Sequence, residues 1–260
     1  MAQISQQRTE KLLEIMKLLV CVSKTPETTT KVSFMDGDTK FNTSGVQYIM
    51  NPYDEWYALV RAVELKEQIQ GSKVTLVNVG PDSNDSVIRK GLAIGADQAL
   101  RINTDPGSAY NVAAQIAQYA KGMDIVFTGK ETIEYNGSEV GAILAELLDL
   151  PYISYATDIQ VEGNVATITR EIEGGKEVLQ VQTPFVLSAA KGMAEQRIPN
   201  MRGIMMAKKK PLIARDAKPM TDPVSVVKYE LPAEKGDVKL IDPENMEELV
   251  RLLHEEAKVI

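Results

Sequence analysis

Apolar residues along the chain fall into two alternating patterns, and their order predicts the fold. Residues 17–22 (KLLVCV) form an unbroken apolar run between polar flanks, the pattern of a strand covered on both faces. Residues 32–41 carry Asp36-Gly37 between apolar positions and predict a hairpin. Residues 52–70 predict a helix with Trp56, Leu59, Val60 and Val63 on one stripe. Asn51 is its expected N-cap, Pro52 fits the first turn, and Asp54 and Glu55 suit the positive end of the helix dipole. A strand over 74–79, a helix over 85–94 closed by Gly95, and a short strand over 99–102 follow. Next come a helix over 108–120, a strand over 124–128, and a helix over 137–148 with a capping box from Asn136 and Glu139.

This alternation predicts an α/β fold: a mostly parallel sheet with helices on both faces. Ligands in such sheets sit beyond the carboxyl ends of the strands. That singles out the loop after Val22, the Asn51-Pro52 turn and the loop over 129–136. After Pro151 the pattern changes to short β runs at 159–161, 165–172 and 178–181, the last two joined by a hairpin at Gly174-Gly175. From Pro211, four prolines punctuate a stretch of little periodicity that is expected to lie along a partner or the main body. Residues 243–257 return to helical spacing. The expected domains are an N-terminal extension or misassigned start over 1–15, a nucleotide-binding domain over 16–210, and a C-terminal arm over 211–260.

Composition narrows the chemistry. The chain has 260 residues, with 29 Lys plus Arg against 36 Asp plus Glu, a formal charge of −7. That acidic balance argues against a nucleic-acid partner. No run approaches the ~18 apolar residues of a membrane span. With one cysteine, Cys21, and one histidine, His254, intrachain disulfides, thiolate zinc sites and most base-assisted nucleophile chemistry drop out. No metal site and no catalytic residue are expected. Glycine-rich dinucleotide and Walker motifs, a nucleophile elbow and H-E-x-x-H are all missing. Lys208-Lys209-Lys210 reads as a solvated or partner-docking strip. The first fifteen residues contain Glu10 and Glu14 and no apolar signal core, so a cytoplasmic location is expected ahead of the mitochondrial matrix. Both helix starts, at Asn51-Pro52 and at Asn136-Gly137-Ser138, could hold phosphate or could simply be capped.

Several blocks, taken together, resemble the β subunit of electron transfer flavoprotein. They are MKLLVCVSKTPE (16–27), YIMNPYDEWYALVRAVELKE (48–67), RKGLAIGADQALRI (89–102) and IVFTGKETIEYNGSEVGAILAELLDLPY (125–152). TREIEGGKEVLQVQTPFVLS (169–188) and IMMAKKKPL (204–212) continue the match. The resemblance implies an electron carrier rather than an enzyme, of the adenine-nucleotide-binding, HUP-like class. It implies a larger α subunit holding most of the FAD, and AMP, or a second FAD, in this subunit. The family's nucleotide contacts fall on Cys21, Asn51, Pro52, Tyr53, Asp54 and Val79. They continue on Glu134, Tyr135, Asn136, Gly137, Ser138, Glu139, Val140, Gly141, Ala142, Ile143, Leu144 and Ala145. With that pattern added, phosphate binding is the favoured reading at both helix starts.

The resemblance also implies donors such as acyl-CoA dehydrogenases and a quinone oxidoreductase as acceptor. Residues 190–200 (AKGMAEQRIPN) match the family's docking loop, with Met193 as its exposed apolar anchor or else a core methionine, flanked by Glu195 and Arg197. Glu162 or Glu171 matches an acid that touches the α subunit's FAD domain. Two departures stand out. Thr28 occupies the place of an aromatic residue near the flavin, and the loop IEYNGSEVG does not decide between AMP and FAD. The alternative from another class is a stand-alone adenine-nucleotide hydrolase or ATP sensor, which would carry a glycine-rich phosphate loop that this chain lacks. An interaction subunit with an empty site is the third.

Overall fold

A computed structural model describes residues 15–234 and 236–260. The expected extension over 1–15 lies outside them, apart from Ile15. In chain order the elements are β1 (Lys17–Cys21), β2 (Lys24–Pro26), β3 (Phe34–Met35), β4 (Lys40–Phe41), β5 (Tyr48–Met50), α1 (Asp54–Gln68) and β6 (Lys73–Val79). Then come α2 (Asp85–Ile94), β7 (Gln98–Asn103), α3 (Ala109–Ala120), β8 (Ile125–Gly129), α4 (Val140–Leu148) and β9 (Tyr152–Glu162). The last are β10 (Val165–Ile172), β11 (Gly175–Gln182), β12 (Phe185–Ala189), α5 (Met201–Ala207), β13 (Leu212–Asp216) and α6 (Met246–Glu255).

Nine strands form one sheet in the order β11-β10-β9-β12-β8-β1-β6-β7-β13. The seven strands from β9 to β13 in that order run parallel, and β10 and β11 add an antiparallel edge. The run KLLVC is apolar throughout because β1 is covered on both sides. Leu18 and Val20 enter one core with Trp56, Leu59 and Val63 of α1 and Ile88 and Leu92 of α2. Leu19 and Cys21 enter the other with Ala113 and Ile116 of α3 and Leu144 and Ala145 of α4. Each fully buried aliphatic side chain contributes roughly 1.5–3 kcal/mol, so this alternation fixes β1 at the sheet's centre.

Three elements depart from expectation. β12 supplies a parallel strand beside β8 that the sequence reading passed over. α5 was likewise passed over, and β13 fills the first residues of the stretch from Pro211 that was expected to be aperiodic. β13 pairs with β7 from Leu212↔Ala99 to Asp216↔Asn103 and completes the sheet edge. Beyond it, Gln115 of α3 bonds the backbone of Lys218 in both directions, and Ser108 bonds Asp222 at 2.5 and 2.7 Å. The arm therefore begins later than residue 211. The larger compact unit spans residues 15–32 and 43–226, and the smaller comprises Ser33–Asn42 and Val227–Ile260. Within the smaller unit, Tyr229 stacks on Phe34 with ring centres 4.9 Å apart, and Asn245 caps α6 through the Glu248 amide. Lys210, expected in a solvated strip, instead donates to the carbonyls of Leu92 and Ala96 and closes the end of α2.

Candidate functional site

The site is built where β1 and β8 end and α1 and α4 begin. Three loops meet there and are tied by side chains. Asn51 is fully buried; its amide donates to the Glu131 carbonyl at 3.1 Å and accepts from the Ile133 amide at 3.2 Å. Thr25 donates to Glu134 at 2.5 Å. Glu55 accepts from the Ser23 amide at 2.6 Å and lies 2.7 Å from its hydroxyl. A Cβ on Gly129 would stand 3.0 Å from the Glu55 amide nitrogen, so α1 starts directly against the end of β8. A cavity of about 340 Å³ opens here, lined among others by Tyr53, Asp54, Lys130, Ile133, Asn136 and Lys191.

The helix starts differ from expectation in both places. Asn51 is not the N-cap of α1, because the loop over 131–133 consumes its amide. Tyr53 takes the N-cap position at φ 66° with no side-chain bond, and Pro52 stays outside the helix. The capping box at Asn136 and Glu139 does not form either. Asn136 turns left-handed at φ 51°, which asparagine tolerates, and its amide bonds the Thr132 carbonyl. α4 begins three residues later than expected, with Glu139 at the N-cap and no side-chain cap.

Other sequence-picked residues divide by burial. Cys21, Val79, Leu144 and Ala145 are buried in the core beneath α3 and α4, and none of them lines the cavity. Gly141 is buried, and a Cβ there would sit 2.8 Å from Thr128 Oγ1 and 2.9 Å from the Tyr152 ring. Ser138 donates to the Lys130 carbonyl at 2.7 Å. Tyr53, Tyr135, Gly137, Glu139 and Ala142 are exposed, while Val140 and Ile143 are half-buried.

Electrostatics separate the two helix starts. α1 carries Asp54 and Glu55 in its first turn, whereas the first turn of α4 has no acid. Burial raises Asp54, and the Lys130 charge opposes that rise. Burial pushes Glu55 up to about 8, against the pull of the Ser23 hydrogen bonds, with Glu134 adding to the rise. Lys130 is held protonated by its bond to Glu131 at 2.9 Å. Sequence reasoning had assigned Glu55 only to the dipole and passed over Ser23 and Thr25. The signal was there in a pair of hydroxyls two apart after a strand, facing an acid pair at a helix start.

The docking loop needs a correction. Met193 is 3% exposed and belongs to the core, not to an exposed loop tip. The chain turns back on itself there: the Ala190 amide bonds the Ala156 carbonyl, and Met193 closes a turn onto Ala190. Arg197 is tied down by Glu67 at 2.8 and 3.2 Å, and its carbonyl accepts from the Trp56 indole. Glu195 is exposed. The apolar residue that does face outward is Ile198, 83% exposed, followed by Met201, Met205 and Met206. Glu171 stands opposite Lys176 across the β10–β11 hairpin.

A mostly parallel nine-stranded sheet with helices packed on both faces defines an α/β protein, and comparison with known proteins places it in a family. The electron transfer flavoprotein domain model matches residues 38–220. The electron transfer flavoprotein subunit beta of Bacillus subtilis is 35% identical over 94% of this chain and the whole of that protein. The Syntrophomonas wolfei subunit is also 35% identical, over 87% of this chain and 90% of its own length. The human subunit is 31% identical over 94% of this chain and 99% of its own. The chain belongs to the electron transfer flavoprotein β-subunit family. Among the described residues, no helix is long and apolar enough to cross a membrane, and no cluster of three acidic, cysteine or histidine side chains could hold a metal ion.

Proposed function

We propose that the chain is the small subunit of a heterodimeric electron transfer flavoprotein and holds one adenine nucleotide at the ends of β1, β6 and β8. One observation carries the nucleotide reading: the first turn of α4 has no acid and its N-cap residue, the exposed Glu139, makes no side-chain cap, whereas α1 beside it carries two acids in its first turn. Free amides and the positive end of the α4 dipole suit phosphate. Gly137 and Gly141 let a ligand and the strand end come close. The nucleotide is AMP, or a second FAD whose adenylate half takes the same place.

The FAD held mainly by the α subunit supplies the redox chemistry. This chain supplies position and charge, and neither of its two residues best known as bases or nucleophiles is placed for proton work. Cys21 is buried and its thiol is pushed well up by that burial and by Glu55. His254 lies on α6. Electrons arrive from dehydrogenases such as acyl-CoA dehydrogenases and leave to a quinone oxidoreductase, with the loop over 190–200 as the docking element and Ile198 as its apolar tip.

The decisive experiment is co-expression with an electron transfer flavoprotein α subunit from the same source, followed by acid release and identification of bound nucleotide. A yellow heterodimer yielding one FAD plus AMP, or two FAD, supports the reading. A homodimer that binds ATP sinks it. Ile198→Ala should slow transfer from a dehydrogenase roughly ten- to a hundredfold at unchanged flavin content, the worth of one buried aliphatic anchor. Met193→Ala should instead cost about 2–4 kcal/mol of folding stability, as a core truncation does.

A further inference from the structure

Glu55 is the more deeply placed of the two acids at the start of α1, 6% exposed. Its carboxyl grips both the amide and the hydroxyl of Ser23, and so holds the loop after β1. Its Cγ lies 2.9 Å from where a Cβ on Gly129 would stand, leaving no room at the end of β8 for a side chain. The titratable groups acting on it are Cys21 from β1 and Glu134 from the loop before α4, and the Asn51 side chain also hydrogen-bonds it. None of these is a cation. The nearby lysine, Lys130, is engaged by Glu131 and Asp54. A carboxyl taken out of water without a paired cation stays protonated rather than pay for burial of its charge.

We propose that Glu55 is a positioning residue of the nucleotide site that works as a neutral carboxylic acid, pinning the loop after β1 without adding a negative charge beside the phosphate. The inference rests on the nucleotide reading above. In the neutral form the proton sits on Oε1 and the Ser23 hydroxyl, which donates to that oxygen when Glu55 is ionised, turns to accept it, while Oε2 still accepts from the Ser23 amide. An ionised Glu55 would confront Glu134 and a bound phosphate with a third like charge. By linkage, phosphate then opposes ionisation of Glu55, and nucleotide binding near the upper end of its titration takes up a proton.

The test uses the purified heterodimer with AMP as probe, by titration calorimetry in buffers of different ionisation enthalpy between about pH 7 and about pH 9, a range over which AMP's own phosphate, with its second pKa near ~6, stays ionised. Wild-type affinity should fall roughly tenfold across that range, with proton uptake near the midpoint. Glu55→Ala should weaken binding at the lower pH by roughly tenfold, and Glu55→Gln should recover most of that loss while abolishing both the slope and the proton uptake. An unchanged slope in Glu55→Gln, or a glutamine variant as weak as the alanine one, overturns the inference while leaving the nucleotide reading intact. Absence of AMP binding at every pH would instead defeat the nucleotide reading. Should the variants fail to fold, infrared titration of the wild type decides. A neutral-acid carbonyl band that disappears through the range where Glu55 titrates supports the inference, and a carboxylate already ionised at neutral pH overturns it.

Discussion

The starts of α1 and α4 meet at the end of the same strand, β8, yet they are provisioned in opposite ways. Each helix presents about half a positive charge at its N-terminus. At α1 the protein answers that charge itself, with Asp54 and Glu55. At α4 it does less, with no acid in the first turn and only the exposed, uncapping Glu139 at the N-cap. The asparagines that introduce the two helices look alike in sequence and do different work. Asn51 is a buried staple between loops, whereas Asn136 makes a left-handed turn. On the proposed nucleotide reading, the phosphate belongs at the helix start that carries fewer acids of its own. A capping residue read from sequence says little until its side chain is known to be free.

The largest effect should come from filling the space under α4. In Gly141→Val the new Cβ would press on Thr128 and Tyr152 at under 3 Å. Overpacking of this kind costs about 1–3 kcal/mol. Because the first turn of α4 must move to relieve it, AMP affinity of the heterodimer should drop by roughly a hundredfold or more. A valine variant that binds AMP like the wild type would show that the phosphate does not depend on α4. Next in size is Ser138→Asp, which adds a second acid beside Glu139 at the start of α4. Two like charges about 5 Å apart at an effective dielectric of 20 repel by roughly 3 kcal/mol before screening. AMP affinity should therefore fall by between ten- and a hundredfold, with part of the loss recovered at high salt. A loss insensitive to salt would point to disturbed loop geometry rather than charge.

Much of the scaffold was legible in the sequence, and the reasons are local. α2 was placed to the residue because Gly95 stops it, and its positive φ of 159° accounts for the glycine. α3 was placed from the apolar face of Val112, Ala113, Ile116 and Ala117, and the structure adds Ser108 as its N-cap through the Asn111 amide. β1, β6 and β8 were placed because strands covered on both faces read as plain apolar runs. What escaped was decided by distant partners. β13 reads as LIARD, too short and too polar to declare itself, and becomes a strand only because the edge of β7 is open to it. Met193 resembles a loop anchor until the chain is seen to fold back over Ala156. Cys21 and Val79 were picked for the site from strand ends, and the structure places both in the core, away from the cavity lining. The ties through Ser23, Thr25 and Glu55 were not foreseen, because hydrogen bonds across 32 and 109 positions leave no periodicity behind.

The smallest effect should come from Asp54→Asn, and its smallness sharpens the contrast. Asp54 is mostly buried and its carboxyl is raised by that burial, with Lys130 pulling the other way. A group raised in the folded state lends stability that is complete below its unfolded value and is lost as pH climbs through the folded one. Asparagine removes that pH dependence. It also gives up the attraction to Lys130, so the two changes offset and stability near neutral pH should stay within about 1 kcal/mol. For the ligand, the acid being removed already has its counterion, and the freed lysine is bound to Glu131 at 2.9 Å as well. AMP affinity should consequently shift by no more than a few-fold, and upward, since one negative charge has left the cavity wall. Paired titrations of Asp54→Asn and Ser138→Asp measure the asymmetry directly. If the two variants lose affinity to the same degree, the helix starts share the phosphate and the distinction between the two dipoles fails.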